Sequence, residues 1–293
     1  MSDQYWEMRS IYKCHINSYN ALYKLKTEKE EDLDSIYKMI KTDLIETNPS
    51  IATKIIRNIF EIIPYNNRYT KSYLYLVNLI LDDYHITEIN DIYIISNYLF
   101  YKEYGIKLNK SADFREISSE SLEIHTENTI YKAIMYDDLE AFIQFTEIDG
   151  FDQNQTLKNK LYPICNNGYS LLELCCYHGA VDCFKLLRTK FNSEITKTCL
   201  ELSFLGGNPD IMFECKKYHE PNEKCMRYAI ISHNIDFVTQ LMNEHDLKID
   251  LSYCGWCNNL EAFLVYFDQT KDTDKCRVYS MGFNVPSLHK YFH

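Results

Sequence analysis

The chain has 293 residues, 46% of them apolar and 25% charged, with a formal net charge of −11. That supports one long or two ordinary globular domains, and the acidic balance speaks against nucleic acid and acidic membrane as partners, since both call for clustered Lys and Arg. No run approaches ~18 uninterrupted apolar residues, and the start, Met1-Ser2-Asp3-Gln4, lacks a charged-then-apolar signal pattern, so a soluble, cytoplasmic protein is expected.

Only 8 Gly and 6 Pro suit an all-α fold. Residues 1–110 show helical periodicity, with Ile51, Ile55, Ile56, Ile59, Phe60 and Ile63 forming one apolar set that ends at Pro64. Residues 73–81 and 92–101 read as two further helices, and the charged run 26–31 as a solvated connection or helix start. From 107 to 127 the chain turns polar, with Asn109, Ser111, Asp113, Ser118, Ser119 and Glu120. The expected organisation is a helical domain over 1–110, a linker over 111–127 and a repeat region over 128–293.

The repeats are clearest in residues 171–187, LLELCCYHGAVDCFKLL. Taking the middle residue of a small turn as origin, copies are centred on Leu139, Val181, Pro209, Ile235, Leu260 and Val285, and the last three steps are 26, 25 and 25 residues. An irregular insert over 149–168 accounts for the wide first step. Three positions after the origin stand Phe142, Phe184, Met212, Val238, Phe263 and Leu288, and six after stand Phe145, Leu187, Cys215, Leu241, Tyr266 and Tyr291. Six before it are the small residues Ala133, Cys175, Ser203, Ala229 and Cys254, a pattern that Tyr279 breaks. Each unit reads as helix, tight turn, helix, with an apolar seam that only stacking makes continuous.

The units resemble ankyrin repeats, with Leu174-Cys175-Cys176, Gly179, Asp182 and Phe184-Lys185-Leu186-Leu187 in the family's places. An ankyrin unit has about 33 residues and a hairpin finger that 25 or 26 residues cannot hold. More of the chain resembles the trichomonad ankyrin-repeat family, in which a helical domain of unknown function precedes regular repeats. Residues 101–106 (YKEYGI), 169–182 (YSLLELCCYHGAVD) and 251–255 (LSYCG) carry that likeness. It implies an interaction scaffold. In that family the chain continues into full repeats, whereas here Leu288, Tyr291 and Phe292 present no polar closing face, so a homodimer through the carboxyl-terminal end is one expectation and fraying another.

The 11 Cys are odd in number, and eight of them, Cys175, Cys176, Cys183, Cys199, Cys215, Cys225, Cys254 and Cys276, fall in the repeat helices. They read as small hydrophobes in a reducing compartment. Cys254-Gly255-Trp256-Cys257 has dithiol redox spacing, but in register Cys254 fills the small-residue position. A zinc site joining Cys254 and Cys257 to Cys276, His178 or His233 lacks a second pair at finger spacing. Cys176, Cys183 and His178 lack an orienting acid, and Leu205-Gly206-Gly207-Asn208 lacks the Lys of a phosphate loop.

Four positions before each origin lie Met135, Tyr177, Leu205, Ile231, Trp256 and Met281, apolar in every copy. The equivalent row of an ankyrin unit lines the concave groove. These six are the expected contact residues for an unidentified protein partner, with Tyr177 and Trp256 as anchors. The competing expectation is that the shortened repeats bury the row as core or against the amino-terminal helices. The chain is expected to be a non-catalytic interaction module with no cofactor and no metal, and a thiol redox protein using Cys254 and Cys257 is the alternative.

Overall fold

In a computed structural model, residues 1–115, 117, 124–126 and 128–293 are described; Ser118, Ser119 and Glu120 of the expected linker lie outside them. The described chain is all-α. Its helices are α1 (Asp3–Ile11), α2 (Lys13–Tyr23), α3 (Glu30–Ile40), α4 (Ala52–Ile62), α5 (Thr70–Tyr84), α6 (Ile94–Tyr104), α7 (Ile130–Tyr136), α8 (Leu139–Thr146), α9 (Leu171–His178), α10 (Val181–Lys190), α11 (Lys197–Gly206), α12 (Pro209–Lys216), α13 (Glu223–Ile231), α14 (Ile235–His245), α15 (Leu251–Trp256), α16 (Leu260–Thr270), α17 (Thr273–Ser280) and α18 (Pro286–Tyr291). A two-residue strand pair, β1 (Thr156–Leu157) with β2 (Tyr169–Ser170), closes the insert in antiparallel register.

Two compact units divide the chain, one built from Met1–Ala112 together with Ala229–His293 and the other from Asp113–Tyr228. Residues 229–293, which the repeat register groups with 128–228, thus share a unit with the first 112 residues.

In the first unit, α4 buries Ile55, Ile56, Ile59, Phe60 and Ile62, as its periodicity predicts, and Pro64 falls in the 3-10 turn Ile63–Tyr65 that stops it. Glu30, Glu31 and Asp32 open α3, where negative charge suits the helix dipole. α3 then widens into the π-helix Lys41–Ile45. α6 ends at Gly105, whose φ of 72° lets its N–H reach the Tyr101 carbonyl at 2.8 Å. α1 and α2 pack on α16, α14 packs on α16, and α15 on α17.

In the second unit, the first helices of successive pairs, α7, α9 and α11, lie side by side, with α8, α10 and α12 behind them. The approach of α9 and α11 is close enough that a Cβ on Gly206 would stand 2.2 Å from the Cys176 carbonyl oxygen. Residue size is therefore dictated by backbone contact there.

One turn recurs between the helices of each pair. Asp137, Gly179, Gly207, His233 and Asn258, each two residues before the origin, all have φ between 53° and 70°; in the last pair Asn284 does this one position later. These residue types enter the left-handed region at least cost. The next residue caps the second helix: Asp138, Asn208, Asn234 and Asn259 accept backbone N–H bonds from Ala141, Ile211, Phe237 and Ala262. Ala180 has no capping side chain. There the Asp137 carboxylate, from the preceding pair, accepts from the Asp182 and Cys183 N–H groups at 3.1 and 3.0 Å.

The seam follows the register. All six residues three past the origin are buried, each contributing about 1.5–3 kcal/mol of transfer free energy. Six past the origin, Leu187, Cys215 and Leu241 are buried, whereas Phe145 and Tyr266 are partly open and Tyr291 is exposed. The small-residue row Ala133, Cys175, Ser203, Ala229 and Cys254 is buried, and Tyr279, which breaks it, is exposed.

Candidate protein-interaction surface

The six expected contact residues do not share one environment. Met135, Tyr177 and Ile231 are 3%, 5% and 2% exposed; Leu205 is half-buried; Trp256 and Met281 are 38% and 60% exposed. Three of the six are thus closed to a partner.

In the second unit the cover over Tyr177 comes from the insert. Tyr162 folds back so that its ring meets Tyr177 edge-on at 4.9 Å, while its hydroxyl lies 2.8 Å from His125 Nε2 and 2.9 Å from His178 Nε2. Burial pushes His125 down to about 4. His178, considered from sequence as part of a nucleophilic group, is engaged by this tyrosine. Burial raises both thiols expected beside it, Cys176 and Cys183, the latter with help from the Asp137 carboxylate.

In the first unit, a polar chain ties the amino-terminal helices to the later pairs. Arg9 pairs with the buried Glu261 carboxylate, which also accepts from Asn20 Nδ2 at 3.5 Å. The Asn20 side chain meets His233 Nδ1 at 2.8 Å, and His233 Nε2 reaches the Cys257 carbonyl at 2.9 Å. Tyr23 stacks on the His233 ring at 4.1 Å. Enclosure pushes His233 down to about 3, the direction burial gives a base.

Trp256 remains on the surface, meeting Tyr65 edge-on at 5.8 Å and Tyr253 at 6.1 Å. Gly255 and Gly282 hold α15 against the turn bearing Met281, since a Cβ on Gly282 would lie 3.3 Å from the Gly255 Cα. Lys54 donates to the Gly282 carbonyl at 2.9 Å and secures that turn. The accessible part of the row is thus Trp256 and Met281, flanked by the half-buried Tyr65 and Tyr253. Tyr65 has no periodic signal: its place beside Trp256 depends on a contact across 191 residues of sequence.

Cys254 and Cys257 are fully buried. Burial pushes the Cys254 thiol up and that of Cys257 to about 12, and Cys257 Sγ donates to the Tyr253 carbonyl at 2.9 Å. That environment favours thiol over thiolate. Among the described residues no group of three or more His, Cys, Asp or Glu side chains is arranged to hold a metal, so the candidates Cys254, Cys257, Cys276, His178 and His233 are not gathered into a zinc site. No described helix is long and apolar enough to cross a membrane.

The family model described as a domain of unknown function (DUF3447) matches residues 191–266, a segment reaching from α11 through most of α16. No curated protein matches the chain. No solved structure matches it either.

Proposed function

We propose that the chain is a non-catalytic protein-interaction module, a short ankyrin-like solenoid of helix pairs preceded by amino-terminal helices, working in the cytoplasm. The observation that carries this reading is the exposed apolar pair Trp256 and Met281, framed by Tyr253 of α15 and by Tyr65 from the turn after α4. A large aromatic held rigidly and half exposed suits an anchor in a protein interface. The trichomonad resemblance and the recurring turn support the solenoid; the partner is a protein, not nucleic acid or membrane.

The test is affinity capture from lysate with the wild type beside a Trp256→Ala, Met281→Ser double variant, both checked for fold by circular dichroism. Loss of one discrete captured protein with the variant supports the assignment. Equal capture by both removes this surface from consideration.

A further inference from the structure

The insert between α8 and α9 carries a feature outside the Trp256 surface: a finger with an isoleucine at its tip. β1 and β2 pair Thr156 with Ser170 and Leu157 with Tyr169, and the loop between them turns Leu161, Tyr162 and Pro163 inward, where all three are buried. Ile164, the next residue, is 92% exposed, more than any other large apolar side chain among the described residues. Its neighbours are tied. The Pro163 carbonyl accepts from the Tyr169 hydroxyl at 3.1 Å, and Cys165 Sγ donates to the Gly168 carbonyl at 3.2 Å. Gly168, at φ 76°, leaves no room for a side chain, since a Cβ there would stand 2.8 Å from the Leu157 carbonyl oxygen. A loose loop would fold an isoleucine against the surface; this one holds it out in a fixed place, and a preorganised group binds at less entropic cost.

Charge marks the same segment. No acidic residue stands between Asp152 and Glu173, whereas Lys158 and Lys160 do, both exposed, in a chain of net charge −11. The tip therefore complements an apolar recess with carboxylates at its rim.

One such recess lies on the chain itself. A cleft of about 1020 Å³ opens between the ends of α14 and α16, the loop 246–250 and α17. Met242, Leu247, Tyr266 and Tyr279 give it apolar walls, and Asp246, Asp250 and Asp272 stand around them. Of its two lysines, Lys275 is paired with Asp272 at 3.4 Å, so Asp246 and Asp250 outnumber Lys248 on the rest of the rim.

We propose that the finger of one copy docks in the cleft of a second, with Ile164 against the apolar walls and Lys158 and Lys160 toward Asp246 and Asp250. The contact is heterologous, since each copy offers both a finger and a cleft, and association runs head to tail into chains or a closed ring. One loop tip in one cleft buries less than the roughly 1,200 Å² of a stable interface, which makes the contact weak and concentration-dependent.

Sedimentation velocity on the whole chain, at concentrations up to about 0.5 mM, reads the association directly. The wild-type coefficient should rise with concentration. Ile164→Asp should stay monomeric throughout, with an unchanged circular dichroism spectrum because the side chain touches little of the fold. Lys158→Glu with Lys160→Glu should weaken association by roughly tenfold. Tyr279→Asp alters the cleft and should also be monomeric alone. An equimolar mixture of Ile164→Asp and Tyr279→Asp should form dimers and nothing larger, because one variant keeps the cleft and the other the finger. A wild type that stays monomeric at the highest concentration, an Ile164→Asp variant that associates like the wild type, or a mixture without dimers would overturn the proposal.

Discussion

Substituting Gly206 by Ala sets two effects of opposite sign against each other. Gly206 closes α11 with ordinary negative φ, so on local grounds alanine should gain about 0.8–1 kcal/mol of helix propensity. Its new Cβ, however, would stand 2.2 Å from the Cys176 carbonyl oxygen and 2.7 Å from the Gly179 nitrogen. Both are backbone atoms and cannot rotate away, so α11 must retreat from α9 by about 1 Å, opening the seam that Phe204 and Cys176 fill. Overpacking of this kind costs about 1–3 kcal/mol and occasionally more, and backbone-to-backbone contact puts it at or above the upper end. The net expectation is a loss of about 2 kcal/mol, or about 1 M in urea midpoint at an m-value near 2 kcal/mol/M. Gly207→Asn is the control: its φ of 67° suits asparagine and nothing lies within 4 Å of the added Cβ, so its midpoint should stay within a few tenths of 1 M. A Gly206→Ala midpoint equal to or above the wild type would refute the close-packing argument and leave only propensity.

Ala229 is fully buried, so Ala229→Phe should cost about 1–3 kcal/mol or more, and an unchanged thermal melt would contradict the register. Stability should fall in mild acid. Burial holds His15 near 4 and His233 near 3, against 6.5 when unfolded, so the unfolded chain binds protons first. The stability is complete above about pH 6.5, and by pH 5 each histidine costs about 2 kcal/mol; equal urea midpoints at pH 7 and pH 5 would exclude buried neutral imidazoles. Thiol alkylation at neutral pH should label the exposed Cys14 at once and Cys254 and Cys257 only on unfolding. Rapid labelling of either buried thiol would revive the redox reading.

The parts of the fold written locally were legible. Phe142, Phe184, Met212, Val238, Phe263 and Leu288 are buried because a helical repeat must turn the same face to its neighbour each time. The left-handed turn was visible at Gly179 but hidden at His233, which takes the same conformation without glycine's freedom. Contacts made by docking were illegible. Tyr162 reaches Tyr177 only because the insert folds back, and Arg9 meets Glu261 across 252 positions. No period encodes either. Of the apolar row Met135, Tyr177, Leu205, Ile231, Trp256 and Met281, three members serve as interior and only Trp256 and Met281 are exposed.

The central claim rests on Trp256 and Met281 as a protein-binding surface, and the dissociation constant of the captured partner tests it most directly. Wild type, Trp256→Ala and Phe213→Ala should be compared by surface-immobilised binding, the last removing an aromatic that is 67% exposed elsewhere. An anchor residue predicts a loss of about 2 kcal/mol, roughly 30-fold in affinity, for Trp256→Ala and little change for Phe213→Ala. An unchanged constant for Trp256→Ala, or an equal loss in both, would contradict the account.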